Sequence, residues 1–149
     1  MPPFTTNPAD CNCLALRQAA RHVSQFYDQF LASSGLRTTQ YSILARLQRK
    51  GPMTINVLAA EMVMDRTTLG RNILPLQRDG LIAVGPGISD RRSKELRLTE
   101  TGAVRFHTAR KGWQEAQAQF ETGFGVERSK KLRDLLHEVA TSEPAAACA

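Results

Sequence analysis

Residues 81–99 constrain this chain more than any other stretch. Two short runs, LIAVG and ELRLT, read as strands around the loop from Gly85 to Lys94, which is rich in Gly, Pro, Ser and Asp and longer than a tight turn. The other periodic segments step by three and four residues, as helices do. The fold class that follows is mainly α with a small β-hairpin (α+β), in which helices must supply the core. Arg91, Arg92, Lys94 and Arg97 fall within seven positions on the tip and return strand of that hairpin. A surface spike of positive charge calls for an anionic partner.

From Leu14 to Leu31 the residues Leu16, Ala19, Ala20, Val23, Phe26, Tyr27 and Phe30 recur at amphipathic spacing until Ser33, Ser34 and Gly35 stop the helix. A shorter helix starts near Thr38 or Thr39, either of which can cap it, and turns Tyr41, Ile43, Leu44 and Leu47 inward as far as Gly51 and Pro52. Thr54 caps INVLAAEM. After a break at Val63 and Met64, Asp65 caps RTTLGRNILPLQRD, with Leu69, Ile73 and Leu76 on one face and Gly80 as the stop. Pro75 removes an amide from that helix and predicts a bend. Thr99 caps a long helix striped with Ala103, Phe106, Ala109, Trp113, Ala116 and Phe120, which Gly123 and Gly125 break. A last helix carries Leu132, Leu135, Leu136 and Val139, and the tail 142–149 reads as disordered.

The 149 residues suit one domain (1–149), with a lobe at 38–99 between helical segments 12–34 and 100–141. Twenty Lys and Arg against fourteen Asp and Glu give +6, which favours polyanions. A start without a secretory pattern, and no apolar run long enough to span a bilayer, point to a soluble cytoplasmic protein with no membrane partner. Cys11, Cys13 and Cys148 make a poor disulfide framework, and His22, His107 and His137 lie far apart, so neither a metal site nor a cofactor is expected. No hydrolase, zinc-protease or phosphate-loop motif occurs, and nothing in the spacing pairs Cys13 with a histidine as nucleophile and base. The chain does not read as an enzyme.

Two short helices joined by a tight turn, the second with a polar start, are the elements of a helix-turn-helix. On the second, Arg66, Thr67, Thr68, Arg71 and Asn72 are the residues that would reach base edges in a major groove. A hairpin directly after it makes a wing. Arg91, Arg92 and Lys94 can then follow the phosphates, with an arginine in the minor groove. The competing readings are a solvated helix face and a winged protein-interaction module that binds no nucleic acid. The first helix and the last two expose more apolar stripe than one lobe can cover, which predicts a homodimer interlocking through them.

MDRTTLGRNILPLQRDGLI followed by SDRRSKELRLTETG resembles the recognition helix and wing of the MarR family of bacterial transcription regulators, and GLRTTQYSILARL extends the similarity. The resemblance implies a homodimer of winged helix-turn-helix lobes on a pseudo-palindromic DNA operator, with repression the commoner habit. It implies that Asp90 braces the wing and Arg92 enters the minor groove. Gly70 stands where a small hydroxyl residue is frequent in the family.

CLALRQAARHVSQFY is similar to the start of the family's organic-hydroperoxide sensors, which implies a reactive thiol at Cys13 and a tyrosine at Tyr27; helix N-termini favour thiolates. Thr38 and Arg17 stand where such sensors carry aromatic residues, and Cys148 could resolve the oxidised thiol only from the partner's tail. The other switch is a small-molecule effector, such as an aromatic carboxylate, which Arg17 could help to hold between the dimer helices and the DNA lobe.

Overall fold

The computed structural model describes residues 6–143. The tail's last six residues, among them Cys148, lie outside the described residues, as do the first five of the chain. A 3-10 turn at Pro8–Asp10 leads into α1 (Asn12–Leu31), and Cys11 caps it, its Sγ accepting the Leu14 N–H at 3.4 Å. Only Leu31 of this long helix is buried. A further 3-10 turn, Ala32–Ser34, ends at Gly35 with φ +74°, a left-handed conformation that glycine adopts freely.

Helix α2 (Thr38–Lys50) corrects the expected cap. Neither threonine serves; Arg37 is the cap residue, and its N–H donates to the Gln40 side chain at 3.0 Å. Thr38 already lies inside the helix, where the Asp28 carboxylate of α1, a stronger acceptor than the local backbone, takes its amide and hydroxyl. Strand β1 (Met53–Thr54) was not anticipated, because two residues after a proline show no alternation. Thr54 then caps α3 (Ile55–Met62), accepting from the Val57 N–H.

Val63 ends α3 at φ +53°, and Asp65 caps α4 (Arg66–Arg78). Pro75 does not end α4, whose buried Ile73 and Leu76 anchor the turn on either side of it. Strands β2 (Ile82–Pro86) and β3 (Lys94–Leu98) form the hairpin, in register from Ile82 opposite Leu98 to Pro86 opposite Lys94. Strand β1 pairs with the far side of β3, giving the antiparallel order β1-β3-β2.

Thr99 links the hairpin to α5 (Glu100–Phe124): its hydroxyl donates to the Gly80 carbonyl at 2.6 Å and accepts the Gly102 N–H at 2.9 Å. Gly123 does not break α5, contrary to expectation; the positive φ of Gly125 does, and α6 (Val126–Thr141) follows. A glycine with helical φ costs only about 1 kcal/mol, which the length of the helix absorbs.

The core lies in the lobe of α2–α4 and the sheet, around Leu44, Leu58, Leu69, Leu76, Leu81 and Leu96. Tyr41 stacks on Phe106 (5.2 Å between centroids) and faces Trp113 (5.9 Å), so aromatic packing ties α5 to that lobe. Helices α1 and α5 cross at Gly112, where a Cβ would stand 2.1 Å from the Phe30 carbonyl oxygen. Helix α6 buries only Ser129 and leaves Leu135, Leu136 and Val139 exposed.

Candidate nucleic-acid interface

The Asp65 carboxylate organises the start of α4. It accepts the Thr68 N–H and the Thr68 hydroxyl, each at 2.8 Å, and these bonds hold its pKa below the ordinary aspartate value. Arg66, Thr67, Thr68 and Arg71 are exposed, while Asn72 is half-buried and donates its side-chain amide to the Thr68 carbonyl at 2.9 Å. Thr68 and Asn72 thus spend donors on their own helix. The side chains of Arg66, Thr67 and Arg71 make no hydrogen bond or ion pair among the described residues.

Two residues missed in the sequence extend this face. Leu74 and Arg78 continue the stripe of Thr67 and Arg71 at steps of three and four, and both are exposed. That spacing was legible; the polar-start criterion stopped short of it. Arg37 is a third omission: with Arg71, Asn72 and Asp28 it lines a pocket of about 260 Å³ between α1, the start of α2 and the middle of α4.

The wing is built by Asp90. Its Oδ1 accepts the Arg92 N–H at 2.9 Å, and its carbonyl accepts the Ser93 N–H at 3.2 Å and hydroxyl at 2.8 Å. Gly87 closes the loop by donating to the Ser93 carbonyl at 2.9 Å; a Cβ there would meet Ser93 Oγ at 2.5 Å and the Asp90 carbonyl at 2.6 Å. Arg91, Arg92 and Lys94 are left exposed on a loop pinned by hydrogen bonds. Arg97 differs from the other three cations. It is half-buried on β3, Nη2 reaches the Pro86 carbonyl at 3.4 Å, and Nε is buried without a partner, so it belongs to the hairpin's interior and not to its tip.

Between α1, α5 and α6 lies a cleft of about 1020 Å³, walled by Leu16, Ala19, Val23, Trp113, Leu132 and Leu136 among others. One polar chain crosses it: Tyr27 donates to Gln117, while Gln117 and Arg133 both donate to Glu121 at 3.1 Å. Burial first, and the Glu121 charge second, raise the Tyr27 pKa. Tyr27 and Thr38 line the cleft, but Arg17 does not; the arginine in its wall is Arg133. Cys13 is exposed in the first turn of α1, and the thiol that caps the helix is Cys11. Among the described residues no cluster of His, Cys, Asp and Glu could hold a metal, and no helix is long and apolar enough to cross a membrane.

The profile of the MarR family matches residues 36–94, the stretch holding α2–α4, β2 and the wing loop as far as the start of β3. The homoprotocatechuate degradative operon repressor of Escherichia coli is 27% identical over 129 residues, 87% of each chain. The transcriptional activatory protein BadR of Rhodopseudomonas palustris is 31% identical over 90 residues, 58% of this chain and 51% of BadR. The crystal structure of the Mycobacterium tuberculosis transcriptional regulator MosR superposes with a TM-score of 0.75 at 34% identity, covering 88% of this chain and 96% of that one. Its complex with DNA gives 0.73 at 35%, covering 89% and 100%. With its winged-helix fold and these relatives, the chain belongs to the MarR family of transcription regulators.

Proposed function

We propose that this regulator binds a pseudo-palindromic operator as a homodimer and represses transcription until an aromatic carboxylate enters the cleft beside Tyr27. The observation that carries the reading is the pairing of a cationic α4 face, on which the side chains of Arg66, Thr67 and Arg71 are unbonded among the described residues, with an Asp90-braced wing that leaves Arg91, Arg92 and Lys94 exposed. Arg66, Thr67, Thr68, Arg71 and Asn72 address base edges; Arg92 enters the minor groove while Arg91 and Lys94 follow phosphates. The near-absence of buried residues on α1 and α6 supports the homodimer, because a lone chain would leave both apolar stripes in water. A second copy's helices cover Leu16, Leu136 and Val139, leaving the polar end at Tyr27, Thr38 and Gln117 for an effector. The relative named for the homoprotocatechuate operon supports an aromatic carboxylate and repression, whereas BadR is called an activator.

Full-length protein titrated with an operator selected from random duplexes tests this, and sedimentation should give a dimer. Arg92→Ala should weaken binding to every duplex and lower the salt slope by about 0.9 per phosphate lost. Arg71→Ala should narrow the preference over scrambled DNA by about 1–3 kcal/mol. Equal affinity for all duplexes would instead indicate a protein-interaction module.

A second reading, a thiol sensor at Cys13, is favoured by two exposed thiols at the start of α1. Tyr27 lies fourteen residues further along the same helix, about 21 Å away, so only the partner's tyrosine could approach Cys13. Hydroperoxide-induced release of DNA that survives Cys13→Ser rules this reading out.

A further inference from the structure

We infer that Leu74 reads the 5-methyl group of a thymine in the operator, an inference that rests on the proposed docking of α4 in the major groove. Leu74 is 64% exposed and lies outside the hydrophobic core, whose share of α4 is supplied by Leu69, Ile73 and Leu76. Its place on the helix gives the exposure a direction. At about 100° per residue, Thr67, Arg71, Leu74 and Arg78 fall within about 60° of one another, so the leucine lies at one edge of a polar, cationic stripe and, along the axis, between Arg71 and Arg78. Thr67, Gly70, Arg71 and Leu74 stand at i, i+3, i+4 and i+7, the spacing with which a helix lying in a major groove presents four side chains to base edges.

Gly70 offers no side chain, and nothing lies within 4 Å of where its Cβ would be, so the groove floor opposite that turn is left to its neighbours. Leu74 stands about 10 Å along the axis from Thr67, roughly three base-pair steps. It can neither donate nor accept a hydrogen bond. The one apolar group that a base pair offers in the major groove is the thymine methyl, which fits a branched aliphatic side chain.

The test replaces each thymine of the selected operator in turn by deoxyuridine, removing only the methyl, and measures the affinity of wild type and Leu74→Ala. Wild type should lose about threefold to fivefold at one thymine per half-site, the effect of uncovering roughly one methyl group. Leu74→Ala should lose less than about twofold at that thymine, and its salt slope should equal that of wild type because no phosphate contact is removed. The assignment is overturned if no thymine shows the penalty, or if the penalty persists in the variant. Arg71→Ala, run beside it, separates the two claims. Relaxed base preference there, with no methyl effect dependent on Leu74, leaves the docking intact and removes this assignment; unchanged preference in both variants removes the docking itself.

Discussion

Asp28 on α1 takes both the backbone N–H and the hydroxyl of Thr38 on a single oxygen, each at 2.7 Å, and so joins the N-terminal helix to the first helix of the DNA lobe. Thr38 and Ser24 line both the large apolar cleft and the small pocket beside Arg71. The bond pair therefore lies in the wall that the two cavities share. Bonds to a carboxylate are stronger than neutral ones, and Asp28→Ala should lower unfolding free energy by about 2 kcal/mol. Asp28→Asn, which keeps an acceptor oxygen, should recover about half of that; urea unfolding measures both.

Val63 is the one non-glycine residue with positive φ among those described, and it is 71% exposed. The left-handed conformation costs a β-branched residue about 1–2 kcal/mol, while glycine loses about 0.4–1 kcal/mol through the freedom of its unfolded chain. Val63→Gly should therefore stabilise the protein by about 0.5–1 kcal/mol, seen as a raised Tm. An unchanged or lower Tm would mean that the valine side chain makes a compensating contact.

At Gly112 the Phe30 carbonyl leaves no room for a methyl group, so Gly112→Ala must push α1 from α5 and should cost about 1–3 kcal/mol. Gly123→Ala, in the same helix but in open space, should raise stability by about 0.5–1 kcal/mol. Opposite signs for one chemical change, measured by denaturant unfolding, would establish the close crossing.

The cap at Asp65 predicts a pH dependence. Its carboxyl pKa is lower folded than unfolded, so the charged cap stabilises fully above the unfolded value near 4, and this contribution fades as pH falls toward the folded value. The Tm advantage of wild type over Asp65→Asn should accordingly shrink between about pH 6 and pH 3. A constant gap across that range would show that the cap's charge plays no part.

Much of this was readable along the chain. Apolar steps located all six α-helices of the described residues, and Thr54, Asp65 and Thr99 were recognisable as caps because a capping side chain acts within three residues of itself. The hairpin was equally local, announced by its turn residues and its flanking strands. What failed was non-local. The cap expected at Thr38 or Thr39 gave way because Asp28, ten residues earlier, captured Thr38. Strand β1 exists only through its pairing with β3, more than forty residues on, and Arg97, one of four cations in a row of text, turned inward on the hairpin while three turned out. The cleft across which Tyr27 meets Gln117, ninety residues away, has no signature in either segment. Periodicity and capping are set by neighbours a few residues apart, so the order of letters determined the helices, the hairpin and the polar start of the α4 face. Which side chains remain free to act depends on what distant segments bring against them, and that only the packed fold decided.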